Sequence, residues 1–309
     1  MTGGKRLRLA WAGLGLFALG LVELCGAVAF AHRAPREEEW SKLAPLVESV
    51  HRPGDLVVVS PRWAEPHARR VLGDEAFPLE AVARSGAETF DRALEISILG
   101  SHASELGGFR EVRSSRLGPF TVRELENPSP ERVVFDFVRE LGPERVVVPT
   151  DDGEPCEWTT RAKPRSGGLG GHPTFPRERF QCPEGLFFQV SATVIADESF
   201  LPRRCIWAHP PESGKRVIRY ARVPLGDRIV GHLGLYWMIE RERAGAPIAL
   251  AVRVDGEEIG RVLHEDGEGW KRFEMPLGAR AHRPEATVEF EVATSDFMHR
   301  HLCFQADSR

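Results

Sequence analysis

Cysteine is almost missing from the first half of this chain. Cys25 stands alone there, and no cysteine occurs between residues 32 and 155. The second half holds the other four, Cys156, Cys182, Cys205 and Cys303. An even number confined to one half predicts two disulfides, and disulfides predict an oxidising compartment. Of the three possible pairings we favour Cys156 with Cys182, which closes a local loop, and Cys205 with Cys303, which ties the last strand back.

The short motifs of several enzyme classes are missing as well. There is no Gly-x-Ser-x-Gly, no His-Glu-x-x-His, and no Cys-x-x-Cys of the kind that predicts zinc. The glycine-rich stretch at 167–171 lacks the Lys-Ser/Thr ending of a phosphate-binding loop. Positive charge is not in excess, because the formal net charge is −4. The sequence therefore predicts no nucleic-acid partner and no organic cofactor, and it names no reaction.

What the chain does have is a long apolar run at its start. Residues 9–31 are almost all apolar, and three basic residues precede them, Lys5, Arg6 and Arg8. Such a run is long enough to span a bilayer, and basic residues before it stay in the cytoplasm. We therefore predict a signal anchor at 1–31, a single pass through the inner membrane, and an extracytoplasmic remainder. Ala29-Phe30-Ala31 also fits a signal-peptidase site, so secretion after cleavage following Ala31 is the alternative.

The next region, residues 32–126, is predicted to form a small α/β domain. Trp40, Leu43 and Val47 recur at helical spacing after three glutamates, which favours an amphipathic helix. The β-branched run at 56–59 is typical of a buried strand, and a helix over 63–72 follows it. Two more strands are predicted, over 93–99 and 120–125. Strands alternating with helices indicate a layered α/β fold.

Three segments of this region resemble a known family. The stretches at 52–61, 91–97 and 118–122 are similar to the extracytoplasmic tail of polytopic lipid-phosphosugar glycosyltransferases of the mannosyltransferase type. Those enzymes need many membrane spans and an acidic residue on an early extracytoplasmic loop. This chain has one apolar run and no such loop, so transferase activity does not carry over. The resemblance implies a detached tail in a glycan pathway, with a glycosyltransferase as a possible partner.

Residues 127–131 are predicted to be a linker, and residues 132–309 an all-β domain. Short β-rich runs recur between Gly and Pro turns, at 145–148, 186–195, 217–223, 229–239, 248–254, 259–263, 271–275 and 287–292. Their number and spacing predict a two-sheet sandwich of the jelly-roll type that carries the two disulfides. The full prediction is therefore one N-terminal membrane helix, a small α/β domain and this sandwich.

Two segments of the all-β region resemble a second family. The hairpin at 252–260 and the Gly-Trp element within 264–270 are similar to the galactose-binding-like class of jelly-roll sandwiches. The resemblance spans roughly residues 156–306. Members of that class bind sugars, lipids or proteins through loops at one end of the sandwich. The resemblance implies the fold and leaves the ligand open.

An acidic turn is the candidate metal site. Glu265, Asp266 and Glu268 follow His264 within one turn, and carboxylate oxygens are the ligands that calcium prefers. We predict a solvated hairpin tip there and no cofactor, with a structural calcium ion held by these three carboxylates as the alternative. Asp151, Asp152 and Glu154 form a second acidic loop of the same kind.

Ligand-binding residues are predicted from aromatic, histidine and arginine side chains near turns. Trp207 and His209 precede two prolines, Trp270 opens a strand, and Arg241 lies in a run of alternating charges suited to an acidic sugar. His264 and Asp266 complete the candidate set. The structural alternative places the two tryptophans in the core and the arginine in solvent.

Three functions follow from these patterns. The first is a membrane-tethered, non-catalytic binding protein for a glycan or a cell-envelope component. The second is an extracytoplasmic carbohydrate-active enzyme that uses loop carboxylates, or His209 or His264, as acid and base. The third is a scaffold that docks on a polytopic glycosyltransferase. We favour the first, because the chain combines one apolar run and a sandwich pattern with no nucleophile motif.

Overall fold

The computed structural model describes residues 3–33, 35–150, 154–164 and 174–309. The chain divides into two compact units, and the division does not follow the sequence order. The first unit extends to Pro78 and resumes over Phe90–Ser129, whereas Leu79–Thr89 belongs to the second unit together with Pro130–Arg309. Backbone hydrogen bonds hold this segment in the second unit, for example from Arg204 N to Ala83 O at 2.9 Å.

The first unit begins with helix α1 (Gly3–Arg33), which contains the apolar run. Several of its described side chains are exposed, including Leu14, Phe17 and Val22. In the part of the chain that the structure describes, no helix is both long and apolar enough to cross a membrane. That finding leaves the transmembrane span predicted over residues 9–31 without structural support. Glu23 interrupts the run near its middle.

A four-stranded sheet forms the core of the first unit. Its strands are β1 (Leu56–Ser60), β2 (Arg92–Ile98), β3 (Arg110–Leu117) and β4 (Phe120–Glu126), in the order β1-β2-β4-β3. β1 and β2 are parallel and the other pairs are antiparallel. The amphipathic helix predicted from the spacing of apolar residues near residue 40 is α2 (Glu37–Val50). A second helix, α3 (Glu65–Leu72), follows β1. Trp40 packs edge-on against Phe120, with ring centroids 4.7 Å apart.

The second unit is a β-sandwich with two disulfides and few helices, as predicted. Its strands are β5 (Phe135–Asp136), β6 (Val146–Val147), β7 (Glu157–Thr159), β8 (Arg179–Gln181), β9 (Val190–Ala196), β10 (Pro202–Ala208), β11 (Arg216–Tyr220), β12 (Arg228–Leu235), β13 (Ile248–Val254), β14 (Glu257–His264), β15 (Lys271–Pro276), β16 (Val288–Thr294) and β17 (Leu302–Ser308). Two short helices belong to the same unit, α4 (Leu79–Val82) and α5 (Trp237–Glu242).

These strands form two sheets. The larger sheet has the order β15-β12-β17-β10-β9-β8-β7, with β5 paired to β17, and the smaller has the order β14-β13-β16-β11-β6. Aromatic side chains fill the core: Phe137 and Phe290 pack edge-on at 4.8 Å, and Phe290 lies 4.8 Å from Phe304. The buried Tyr220 hydroxyl donates to Phe137 O at 2.7 Å. Burial raises the pKa of Tyr220 well above its ordinary value, so this hydroxyl stays protonated.

Both disulfides join the favoured partners. Cys156 pairs with Cys182 and Cys205 pairs with Cys303, and all four residues are buried. Cys303 lies directly opposite Trp207 in the β10–β17 pair. The second bridge therefore ties the last strand of the sandwich to its central strand.

Removal of the two bridges should destabilise the protein unequally. The bridged cysteines are 26 and 98 residues apart in the sequence. In the chain-entropy model these loops correspond to losses of about 3.5 kcal/mol for Cys156→Ala/Cys182→Ala and about 4.7 kcal/mol for Cys205→Ala/Cys303→Ala. Urea unfolding without reductant, followed by tryptophan fluorescence, measures both against the unchanged protein. Equal losses, or a larger loss for the first pair, would contradict the expectation.

Candidate functional site

The histidine of the candidate calcium loop is buried against a glutamate. His264 and Glu240 are both almost completely buried, and His264 Nε2 lies 2.6 Å from Glu240 Oε1. Glu240 also accepts hydrogen bonds from Leu235 N at 2.9 Å and from Gly267 N at 2.7 Å. The pair joins α5 to the loop between β14 and β15. Because neither side chain reaches solvent, His264 is not placed to contact a ligand or to act as an acid or base on a substrate.

The carboxylates of the same loop bind cations of the protein itself. Asp266 forms a two-pronged contact with the buried guanidinium of Arg300, at 2.6 and 3.2 Å, and accepts from Gly245 N at 2.9 Å. Burial alone would raise the pKa of Asp266, but the bonds from Arg300 and Gly245 outweigh it and lower the pKa. Glu268 accepts from Lys271 Nζ at 2.7 Å.

The candidate calcium site is not supported, because two of its three carboxylates bind cations of the protein. Asp266 is held by Arg300, and Glu268 is held by Lys271. Among the described residues, no group of three or more His, Cys, Asp and Glu side chains could hold a metal ion. Two residues of the second acidic loop, Asp151 and Asp152, lie outside the described residues, and so does the glycine-rich stretch 167–171.

Trp207 and His209 are core residues of the larger sheet and do not form a binding rim. Trp207 is fully buried, and its indole N–H donates to Phe187 O at 2.7 Å. His209 is 4% exposed, with Nδ1 2.8 Å from Pro210 O and its ring against Phe188. The two prolines that suggested a rim follow the end of β10, and the rings of Phe297 and His301 also lie near the histidine. Neither side chain can touch a ligand at the surface, and His209 is not an accessible acid or base.

Trp270 is half-buried under the segment 79–89. Its ring stacks on His232 with centroids 6.3 Å apart, and the guanidinium carbon of Arg203 lies 5.9 Å from the ring centroid. The indole N–H donates to Ser85 Oγ at 3.1 Å. These three contacts hold the ring and its nitrogen within the second unit, so Trp270 has the structural role that the sequence left as the alternative.

Arg241, by contrast, lies on the surface beside two aromatic rings that the sequence did not single out. Its guanidinium carbon is 4.3 Å from the centroid of Phe200 and 5.6 Å from that of Trp237. The two rings are 5.1 Å apart and tilted by 49°. Phe200 is 53% exposed and Trp237 is half-buried. We call Phe200, Trp237 and Arg241 the aromatic-arginine cluster.

A buried carboxylate shapes the turn that presents Phe200. Asp197 ends β9, and its Oδ1 accepts from Ser199 N and Leu201 N, both at 2.9 Å. Its Oδ2 accepts from Arg203 Nε at 2.8 Å. The same turn places Phe200 at φ 60°, in the left-handed region that aromatic side chains rarely adopt. The turn is therefore fixed from inside, and its one large apolar side chain faces outward.

The second ring is fixed by α5. Trp237 opens this helix, and Glu240, three residues later, binds His264 and Gly267 N in the interior. Arg241 then lies on the outer side, where its Nη2 donates to Glu198 O at 2.7 Å. The hairpin tip and the helix thus hold the three side chains of the aromatic-arginine cluster together from both sides.

The aromatic-arginine cluster has the chemistry of a binding surface. Two aromatic rings offer apolar faces that can bury the C–H face of a sugar ring, and an arginine offers five N–H donors in a rigid fork. One of those donors binds Glu198 O, which leaves donors for hydroxyl or carboxylate groups. Exposed aromatic and arginine side chains are also the residues enriched at recognition surfaces.

Sequence reasoning missed two of the three members. Phe200 lies in the turn Asp-Glu-Ser-Phe-Leu between two strands, where an aromatic residue is out of place, and that was the available signal. Trp237 was placed in a strand predicted over 229–239, but β12 ends at Leu235 and a helix begins. The meeting of positions 200 and 237 depends on the tertiary fold.

Comparison with known proteins gives few matches. No family model matches the chain, and no curated protein matches it. Among solved structures, the CBM51-2 and INT domains of Clostridium perfringens ZmpB match with 13% identity and a TM-score of 0.29, over 65% of this chain and 41% of theirs. The same domains in complex with GlcNAc match with 14% identity and a TM-score of 0.28, over 65% of this chain and 40% of that one.

A further match is CBM51 from Clostridium perfringens GH95 in complex with methyl-galactose. It shares 14% identity at a TM-score of 0.26, over 38% of this chain and 78% of that one. The chain spans about two fifths of the length of the first two matched structures. These scores are too low to assign a ligand. No comparison supports the resemblance of residues 52–122 to glycosyltransferases.

The buried histidines should make the protein less stable in mild acid. Burial, with smaller contributions from Arg216 and Arg300, lowers the pKa of His209 to about 4. Burial also lowers the pKa of His232 to about 4. The unfolded chain takes up a proton on each histidine near its ordinary value of about 6.5, whereas the folded chain does so only near 4. Stability is therefore lost as pH falls between these values.

His209→Asn should remove the part of this acid-induced loss of stability that is due to His209. The variant should lose roughly 2 kcal/mol less than the unchanged protein between pH 7.5 and pH 5, because asparagine does not titrate. Burial raises the pKa of Asp307 to about 6, so this residue favours the folded protein as the pH falls. Its contribution is the same in both proteins. Urea unfolding at a series of pH values measures the slopes. Parallel slopes would contradict a neutral buried His209.

Proposed function

We propose that this protein is a non-catalytic glycan-binding protein that works outside the cytoplasm. The observation that carries the proposal is the aromatic-arginine cluster: Phe200 and Trp237 lie 5.1 Å apart at the surface, with Arg241 against both rings. Sugar rings combine a C–H face with hydroxyl groups at the rim. An apolar platform with a donor beside it matches both features.

Binding is favoured over catalysis by the burial of the acid-base candidates. His209 and His264, which the enzyme hypothesis would use, are buried, and they contact Pro210 O and Glu240 respectively. Asp266 is neutralised by Arg300. An acid or base must come within hydrogen-bond reach of a substrate atom, and these groups do not face one. We therefore propose that the aromatic-arginine cluster binds the glycan and that the buried charged side chains stabilise the fold.

The compartment is part of the proposal. Two disulfides support an extracytoplasmic location, because thiols stay reduced in the cytoplasm of most organisms. The basic residues before the apolar run 9–31 support export with the bulk of the chain translocated. We propose that residues 1–31 direct this export, with retention in the inner membrane or cleavage after Ala31 as the two outcomes.

Replacement of the cluster aromatics should abolish most glycan binding. Phe200→Ala/Trp237→Ala removes both ring faces, and we expect affinity on a glycan array, first with GlcNAc and galactose ligands, to fall by at least tenfold. Leu263→Ala is the matched control, because Leu263 is an exposed apolar side chain of the same unit at 48% exposure. Unfolding midpoints of both variants should stay close to that of the unchanged full chain. Unchanged binding in the double variant would refute the cluster as the site.

The location is tested by the state of the cysteines in intact cells. If the chain is extracytoplasmic, a thiol reagent should not modify Cys156, Cys182, Cys205 or Cys303 unless a reductant is added first. Cys25 has no disulfide partner and serves as the internal comparison when cells are lysed in denaturant. Full modification of all five cysteines without reductant would place the second unit in a reducing compartment and end this part of the proposal.

A further inference from the structure

A groove lies at the edge of the larger sheet that is farthest from β15. Its volume is about 550 Å³, within the range of small-molecule sites. β7, the last strand in the sheet order, contributes Trp158 and is followed by Thr160. The opposite wall is formed by residues 139–145. We call this the Trp158 groove.

The tryptophan of the groove is held in place by the neighbouring strand. Trp158 lies directly opposite Phe180 in the antiparallel β7–β8 pair. The two rings meet edge-on with centroids 4.9 Å apart, and Phe180 is buried in the core. Trp158 itself is half-buried. Part of a large aromatic side chain therefore faces the groove in a fixed orientation.

The opposite wall is also fixed. Arg145 donates from Nη1 to Arg222 O at 2.8 Å, and Arg222 donates from Nη2 to Glu144 O at 2.9 Å. Ala221 N donates to Arg145 O at 2.8 Å. These reciprocal bonds tie the loop before β6 to the end of β11. A wall tied in this way is pre-organised, which lowers the entropic cost of binding.

The groove carries donors and acceptors that the protein does not pair. Arg139 and Glu178 line it, both are exposed, and in the described ranges no ion pair engages either. Thr160 adds a hydroxyl group. Arg145 is different, because it pairs with Glu140 at 3.3 Å. An aromatic face with a guanidinium, a carboxylate and a hydroxyl group around it matches a polyol ring better than an ion or a purely apolar ligand.

We propose that the Trp158 groove is a second saccharide site, which binds another sugar unit of the glycan. The inference rests on the proposed glycan-binding function, but it uses different residues. Phe200 lies in the turn between β9 and β10, and Trp237 follows β12, whereas Trp158 lies on β7 at the edge of the sheet. The two sites share no residue. Two such sites would bind a polymeric glycan more tightly than either site binds a single sugar.

The stoichiometry of binding tests the proposal. Calorimetric titration of the purified, oxidised full chain with the best short ligand from the array should give two sites per chain. Trp158→Ala should reduce this to one, Phe200→Ala/Trp237→Ala should also reduce it to one, and the triple variant should bind none. Affinity for the matching polymer should fall at least tenfold in Trp158→Ala. Trp158→Phe keeps an aromatic face and should retain most binding, which separates loss of the platform from loss of the fold.

The outcomes distinguish the two proposals. One site in the unchanged chain that survives Trp158→Ala, and disappears in Phe200→Ala/Trp237→Ala, overturns the second site and leaves the first intact. Binding that disappears only in Trp158→Ala supports the groove and overturns the cluster. A chain that binds no glycan overturns both. If Trp158→Ala does not fold, Glu178→Ala and Arg139→Ala at the exposed wall replace it, and unchanged stoichiometry and affinity in both overturn the groove.

Discussion

The arrangement of the proposed binding surface depends on one buried carboxylate, Glu240. Burial of a carboxylate costs several kcal/mol of folding free energy unless its oxygens accept hydrogen bonds. Glu240 is bonded on both oxygens, to His264 and Leu235 N on one and to Gly267 N on the other. These bonds fix α5 against the loop that follows β14. Trp237 and Arg241 flank Glu240 on the same helix. The hydrogen bonds of Glu240 therefore also fix the positions of these two residues of the aromatic-arginine cluster.

The same principle accounts for two further carboxylates, Asp197 and the candidate metal ligand Asp266. Asp197 binds the two backbone amides of its own turn and the guanidinium of Arg203, and Asp266 binds Arg300. Each carboxylate organises a loop at the end of a strand. In a calcium loop a bound ion would do that work with several carboxylates at once. Here individual arginines and backbone N–H groups donate to these carboxylates.

The sequence predicted the sandwich and the disulfides because both have local signals: alternating or apolar β-runs between turns, and cysteines confined to one half. It missed β3, whose side chains are almost all exposed and which therefore shows no apolar period. It also missed that 79–89 belongs to the second unit, since this depends on contacts such as Trp270 with Ser85. Of the predicted ligand-binding residues, Arg241 is exposed whereas Trp207, His209 and His264 are buried, because tryptophan and histidine near turns are as often packing residues as ligands.

Two features of Phe200 are not explained by stability alone. Its left-handed backbone costs an L-residue about 1 kcal/mol or more, and glycine would avoid that cost. Its ring is 53% exposed, so it recovers only part of the free energy that burial of a phenylalanine provides. The buried Asp197 must then hold the turn in this form. A conformation that is unfavourable both for the backbone and for the side chain, yet is fixed by a buried charge, is typical of recognition sites. Contact of the ring with a ligand would recover the apolar burial that the folded chain leaves unused.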